Sequence, residues 1–227
     1  MTRRVQTGGS IQNVLVIVMI IILALSVFGV YKYFDSYSVA GTQTKQFLPY
    51  IHDAKIGKRV NAGSVPDSLQ GNEYNINMWI YINDYIYRYK EDKVIIQRGE
   101  SYDNVSNPTI LLTANTNTLR IITNVETNLD TEGEEDDLTN ICDIPNIPLQ
   151  RWVNINISLS DKVLDVFLNG KLVKTGLITG YPKPNMGPLN ICKEGGFHGF
   201  ISNIAFTNRT RSITDIQAVY RKGPALK

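Results

Sequence analysis

Two histidines, two cysteines and two tryptophans among 227 residues leave this chain little material for thiol, imidazole or zinc chemistry. His52, His198, Cys142 and Cys192 fall into no HExxH or CxxC spacing, and no Gly-x-Ser-x-Gly elbow is present. The usual signatures of metal and nucleophilic hydrolysis are therefore absent. A lone histidine in Gly-Gly-Phe-His198-Gly-Phe reads first as a turn residue, with a His198–Cys192 site as the rival. Charge of one sign is missing too. The net charge is +2 and the basic residues are scattered, so the electrostatic footprint of a nucleic-acid binder is lacking and nucleic acid is no expected partner. Heptads and internal duplications are absent, and beyond residue 30 no apolar run is long enough to cross a bilayer.

What the chain does have is one uninterrupted apolar run from Val14 to Val30, preceded by Arg3 and Arg4 and followed by Lys32. At ~1.5 Å of helical rise per residue, Ile11 to Val30 spans about 30 Å, the thickness of bilayer hydrocarbon. The sequence predicts a transmembrane helix over residues 11–30, a short cytosolic N-terminus over 1–10, a stalk over 31–47 and one folded body over 48–227. A cleaved signal peptide is the competing reading, because Ser38-Val39-Ala40 before Gly41 resembles a cleavage site. The run exceeds the ~7–15 residues of a signal h-region, and Tyr31-Lys32-Tyr33-Phe34-Asp35 separates it from Ser38, which favours a retained anchor. Arg3 and Arg4 place the N-terminus in the cytosol and the body lumenal, extracellular or on the outer side of a viral inner membrane.

After the run, apolar residues recur at a period of two in short stretches bounded by Gly, Pro, Asn and Asp, the pattern of an all-β body. Strands are predicted at Tyr74–Ile82, Lys93–Arg98, Thr109–Thr113, Thr118–Thr123, Trp152–Leu159, Val163–Leu168, Lys171–Thr175, Leu189–Cys192 and Gly199–Thr207. Asn169-Gly170 between two alternating runs predicts a two-residue type I′ hairpin, since both residues tolerate positive φ. In Trp152–Leu159, Val153, Ile155, Ile157 and Leu159 share one face. Trp152, Asn154, Asn156 and Ser158 share the other, expected to be exposed or to face a ligand. One soluble helix is predicted from Thr214 to about Arg221, with Thr214 as N-cap, Gln217 at N3 and Gly223-Pro224 as the stop.

Three stretches together resemble the concanavalin A-like lectin/glucanase superfamily in its laminin-G-like branch. They are Asn72-Glu-Tyr-Asn-Ile-Asn-Met-Trp-Ile-Tyr-Ile82, then Ile147-Pro-Leu-Gln-Arg-Trp152 leading to Leu168-Asn-Gly-Lys-Leu-Val173, and finally Gly199-Phe-Ile-Ser-Asn-Ile-Ala-Phe206 with the helix after it. The resemblance implies a concanavalin A-like jelly-roll β-sandwich of two antiparallel sheets with one short C-terminal helix, preceded here by the transmembrane helix. It also implies that Trp79 and Trp152 are structural marks of their strands. The Asn- and Ile-heavy composition is similar to that of laminin-G-like proteins of large DNA viruses. That likeness implies a virion membrane or minor capsid component that docks to capsid proteins.

Against this background the chemistry is sparse. Glucanases of the superfamily need carboxylates at even spacing on one strand, and no strand here carries them. No enzyme activity is expected; the alternative to a docking role is a membrane-tethered lectin, with a glycoside hydrolase the remote third reading. Tyr81, Tyr85, Tyr87 and Tyr89 at spacings of two or four, with Asn83 and Asp84 between, are candidate carbohydrate-binding residues, or else simply line the sheet or pack on the next strand. Glu132, Glu134, Asp136 and Asp137 in the acidic stretch supply hard oxygen ligands for calcium without EF-hand spacing, and otherwise form a solvated loop. No other cofactor is indicated. Asn104 and Asn208 are candidate glycosylation acceptors, with Asn156 the least suited because it lies mid-strand. Cys142 and Cys192 leave two readings open: separate buried thiols, or a bridge closing about fifty residues and contributing ~4 kcal/mol in the chain-entropy model.

Overall fold

The structure, a computed structural model, describes residues 8–39, 41–68, 72–99, 106–126 and 139–225, without the side chains of 8–11 and 34–39. The chain divides into two compact units, Met1–Gly41 and Thr42–Lys227. In the first, α1 (Gly8–Val39) contains Gln12–Tyr33, long and apolar enough to cross a membrane, with no part of that segment buried in the protein. The helix does not give way to a stalk at Tyr31. Residues 31–39 contain no glycine or proline, and the helix runs on to Val39 just before Gly41, whose φ is 86°. The second unit starts earlier than Leu48, because β1 (Thr44–Leu48) is already paired in a sheet.

The strands that follow are β2 (His52–Asp53), β3 (Lys58–Val60), β4 (Tyr74–Ile82), β5 (Lys93–Arg98), β6 (Thr109–Leu112), β7 (Leu119–Glu126) and β8 (Thr139–Ile144). Then come β9 (Trp152–Ser160), β10 (Val163–Leu168), β11 (Lys171–Leu177), β12 (Tyr181–Pro182), β13 (Leu189–Ile191), β14 (Gly199–Thr207) and α2 (Ile213–Lys222). They form two antiparallel sheets, the sandwich the sequence predicts. The first has the order β1-β14-β4-β9-β10-β11, with β2 also on β14. The second has β12-β7-β6-β5-β13-β3, with β8 on β7. The β10–β11 hairpin turns through Asn169 at φ 51° and Gly170 at φ 73°, the two positive angles of a type I′ turn.

The core is the apolar half of each alternating strand. Ile76, Met78, Ile80 and Ile82 of β4 face the same interior as Val153, Ile155, Ile157 and Leu159 of β9, and meet Ile96, Ile110, Ile121 and Ile144 of the second sheet. The opposite face of β9 departs from expectation. Asn154 and Asn156 are fully buried and Ser158 nearly so, because α2 and the residues after it lie over this face. Tyr220 stacks on Trp79 at 5.7 Å, Asn203 Nδ2 donates to the Gly223 carbonyl, and Ala225 N donates to Ser202 Oγ. Buried amides need partners, and the register supplies them. Asn75 Nδ2 donates to Asn156 Oδ1 and to Ser158 Oγ, each at 2.7 Å, and Asn156 Nδ2 returns a bond to Asn75 Oδ1. Asn154 Nδ2 donates to Asn77 Oδ1 at 2.9 Å.

The helix cap also shifts. Ser212 rather than Thr214 is the N-cap, and its Oγ accepts from Asp215 N. Both hydroxyl residues could cap, but only Ser212 has an acid three positions on, and that carboxylate sits 2.7 Å from the capping hydroxyl.

Both cysteines are free and buried, so the bridge is not formed. Cys142 lies in β8, whereas Cys192 follows β13, and β7, β6 and β5 lie between those strands. Four strand spacings are ~19 Å, far beyond the ~7 Å a disulfide allows. Asn208, a candidate glycan acceptor, is buried in the folded body, and its Oδ1 accepts from Gln43 N at 2.8 Å. Asn104 lies outside the described residues.

Two outcomes are expected. Asn156→Ala should destabilise the body by about 2 kcal/mol, because it strips a buried amide of its partners, while Lys171→Ala on exposed β11 stays within ~0.5 kcal/mol; urea unfolding measures both. Burial pushes the Cys192 thiol up to about 12 and raises that of Cys142 as well. Iodoacetamide should label both only after unfolding, with no reductant added; labelling of neither after unfolding would contradict the free thiols.

Candidate functional site: an aromatic row and its polar rim

Three aromatic side chains stand in one row across the outer face of the first sheet. Phe200 of β14 pairs with Tyr81 of β4, which pairs with Trp152 of β9. The Tyr81 ring is 5.7 Å from Trp152, edge-on, and 6.3 Å from Phe200. The next row inward along the strands, Ser202, Trp79 and Asn154, is buried beneath Tyr220 and the residues around it. The aromatic row is not covered in this way: Phe200 is 39% exposed, and Tyr81 and Trp152 are half-buried.

A polar rim adjoins the row where β4 ends and β14 begins. Asp84 organises it. Its Oδ1 accepts from the amides of Ile86 at 3.0 Å and Tyr87 at 3.3 Å, and its Oδ2 lies 2.5 Å from His198 Nδ1. Partial burial pushes the Asp84 carboxyl up, but the Tyr87 amide, the His198 ring and the Ile86 amide together outweigh it and hold it below the ordinary range. Asn83 N donates to the His198 carbonyl, tying the two loops at their backbones. Tyr87 donates its hydroxyl to the Gly195 carbonyl at 3.1 Å, with Lys55 Nζ 5.0 Å over its ring. Behind the rim, an open cleft of about 350 Å³ is lined by Arg88, Glu91, Asp92, Val94, Gln97 and residues 193–194.

The five residues expected to bind carbohydrate are thus placed apart. Tyr81 belongs to the row. Asn83, Asp84 and Tyr87 build the rim. Tyr85 turns inward, with Lys93 Nζ 5.0 Å over its ring and its phenol raised by burial and then by Asp92. The period of two fails after Ile82 because the strand ends there and Asp84 caps a turn, followed by positive φ at Arg88 and Lys90. Tyr89 is an exposed loop residue. Trp152 and Phe200 complete the row, and strand parity across β9, β4 and β14 was the signal that could have found them. Glu132, Glu134, Asp136 and Asp137 lie outside the described residues, and among the described residues no cluster of three or more metal-ligating side chains occurs.

Asp53, Glu126, Asp143 and Asp165 are the carboxylates on described strands, each on a different one. Asp143 is engaged bidentately by Arg120 at 2.7 and 2.8 Å, and Asp165 accepts from Thr175. Burial, and then Asp53, push the Cys192 thiol up to about 12, so it stays protonated at neutral pH.

Residues 56–217 match the laminin G-type model of the concanavalin A-like lectin/glucanases superfamily. No curated protein matches the chain. Among solved structures, the chain is similar to the botulinum neurotoxin serotype D ligand binding domain in complex with N-acetylneuraminic acid, with 12% identity and a TM-score of 0.60. It is likewise similar to the receptor binding domain of the C/D mosaic serotype (10%, TM-score 0.55) and the serotype G binding domain (11%, TM-score 0.53). In each case 80% of this chain is covered against 46% of the other, so the likeness spans under half of those chains and concerns the fold.

The depressed Asp84 carboxyl stabilises the fold above the unfolded value near pH ~4 and ceases to do so as pH falls through the folded value. Asp84→Asn should therefore be less stable than wild type at pH 7, and the difference should shrink below pH ~4; urea midpoints across pH 3–7 measure it.

Proposed function

This chain belongs to the concanavalin A-like lectin/glucanases superfamily, and from that premise we propose that it is a non-enzymatic binding module held at a membrane by its N-terminal helix. The observation that carries the reading is the uncovered row Phe200–Tyr81–Trp152. It stands at the end of the first sheet opposite the place where the chain enters the body, since Thr44 pairs with Thr207 while Phe200 pairs with Tyr81. Aromatic faces of this kind anchor protein or glycan partners, because they bury large area at low entropic cost.

In the leading form the partner is a protein, with the sandwich docking the membrane to a neighbouring assembly. The finer placement, a virion membrane or minor capsid component that contacts capsid proteins, is supported by composition and by the Asn-Ile-Pro-Leu-Gln-Arg-Trp stretch. The alternative is a membrane-tethered lectin, favoured by the aromatic row standing beside the hydrogen-bonding rim. Arg3 and Arg4 support a cytosolic N-terminus, with the body across the membrane.

Flotation in a density gradient after carbonate washing tests the anchor. The full chain should float with vesicles, and a chain lacking Val14–Val30 should stay at the bottom, still folded; a mature product beginning at Gly41 would overturn the anchor. A glycan array then separates the partner classes. Sugar-competable binding that is lost in Tyr81→Ala and Phe200→Ala would establish the lectin, whereas no binding favours protein docking.

A further inference from the structure

At the opposite end of the sandwich, where β4 begins, we propose a binding site for a single oxyanion, a carboxylate or a phosphate group, seated on the side-on edge of Arg98. Arg98 closes β5 and is 5% exposed, with its guanidinium 5.0 Å over the Phe206 ring. Its Nη2 donates to Asp67 Oδ1 at 3.3 Å, and Asp67 is a largely exposed residue. Nε, on the same edge of the guanidinium, is buried without a partner among the described residues. That edge is the fork that takes a carboxylate or phosphate with two parallel bonds, and Asp67 fills half of it at long range.

Two more buried polar groups line the same cavity: the Tyr74 hydroxyl, beside the Thr123 side chain, and Asn107 Oδ1, an acceptor that meets no donor among the described residues and that an oxyanion would not satisfy. Burial raises the Tyr74 phenol, which keeps it a proton donor beside the Arg98 charge. The cavity holds about 60 Å³, room for a small anion or for one acidic group of a larger ligand, but too little for a whole sugar ring. Glu73 also borders it, and Ser160 donates to its Oε1. A charge left under-compensated in a dry site is costly, so an oxyanion that supplies the missing acceptors has a large gain available. In this reading Asp67 is a stand-in that an incoming anion displaces. The site lies at the far end from the aromatic row and stands or falls independently of it.

The full chain in maltoside detergent, at constant ionic strength made up with chloride, is titrated with acetate and separately with inorganic phosphate, following the thermal midpoint. Saturable stabilisation is expected, and the tighter anion of the two names the ligand chemistry. Tyr74→Phe, which preserves the stack on Phe206, should weaken binding several-fold, and Arg98→Gln should weaken it at least ~10-fold. Asp67→Asn should tighten binding several-fold, an effect that general damage to the fold would not produce, and this arm decides the matter if Arg98→Gln fails to fold. No saturation with either anion, equal stabilisation of wild type and Tyr74→Phe, or unchanged or weaker binding in Asp67→Asn would each overturn the site and leave a cavity filled by water.

Discussion

Burying both faces of β4 and β9 is the constraint on which the rest of the second unit turns. Their inner faces are a continuous isoleucine, valine and methionine surface and bury themselves. The outer faces carry Asn75, Asn77, Asn154 and Asn156, and can be covered only if each amide finds a partner within the sheet. The antiparallel register meets that demand by setting Asn75 two residues from Asn77, opposite Ser158 and Asn156. With each of the four amides engaged through its Nδ2, α2 can lie over them and set Tyr220 on Trp79, and Asn154 Oδ1 is the oxygen of the set that meets no donor among the described residues. The hairpin turn belongs to the same packing. A Cβ at Gly170 would meet the Tyr220 ring at 3.1–3.2 Å, so the residue that makes the type I′ turn is also the one that admits the helix.

Because α2 covers the middle of this face, the two ends of the sandwich take different characters. One end keeps Phe200, Tyr81 and Trp152 uncovered, each fixed by a directly opposite neighbour on the next strand. The other end places Tyr74 and Arg98 over Phe206, at the seam between the sheets. Apolar area at one end and an underused cation at the other are physically distinct ways of recognising a partner, the first by area removed from water and the second by oriented charge.

Legibility in the sequence followed the range over which each signal acts. The strands β4, β5, β10 and β14 could be read to the residue because strict alternation and turn residues are local. β1, β2, β3 and β12 could not. Thr-Lys-Gln-Phe-Leu and Lys-Arg-Val carry little apolar periodicity, and their pairing is supplied by β14 and β13, more than a hundred residues away. β8 was hidden behind the acidic stretch that precedes it. The polar face of β9 was read as a face, correctly, but its burial depended on a helix sixty residues later. Tyr81 is legible while the part Trp152 and Phe200 play beside it is not, because the row is a cross-strand object invisible to spacing along one strand. Arg98 gave no signal, since Asp67, Tyr74 and Asn107 meet it only through the fold.

Strained backbone is distributed unevenly in the same way. Arg88, Lys90, Cys192 and Glu194 all hold positive φ between 50° and 68°, and Gly196 follows with φ 41°, in the two loops beside the aromatic row. Left-handed conformations at such residues cost of order 1 kcal/mol each and persist only where the surroundings over-determine them. Here the surroundings are the Asp84–His198 contact, the Tyr87 bond to the Gly195 carbonyl and the backbone tie from Asn83 to His198. These ties also fix the edges of the row itself, since Asn83 and His198 directly follow and precede the paired residues Ile82 and Gly199. The rim's hydrogen bonds thus hold a shape the local sequence disfavours, and the result is a tied border around an aromatic surface that α2 leaves open. A partner meeting that surface encounters side chains already ordered by the sheet, so less conformational freedom is lost on association than a loop of free tyrosines would surrender.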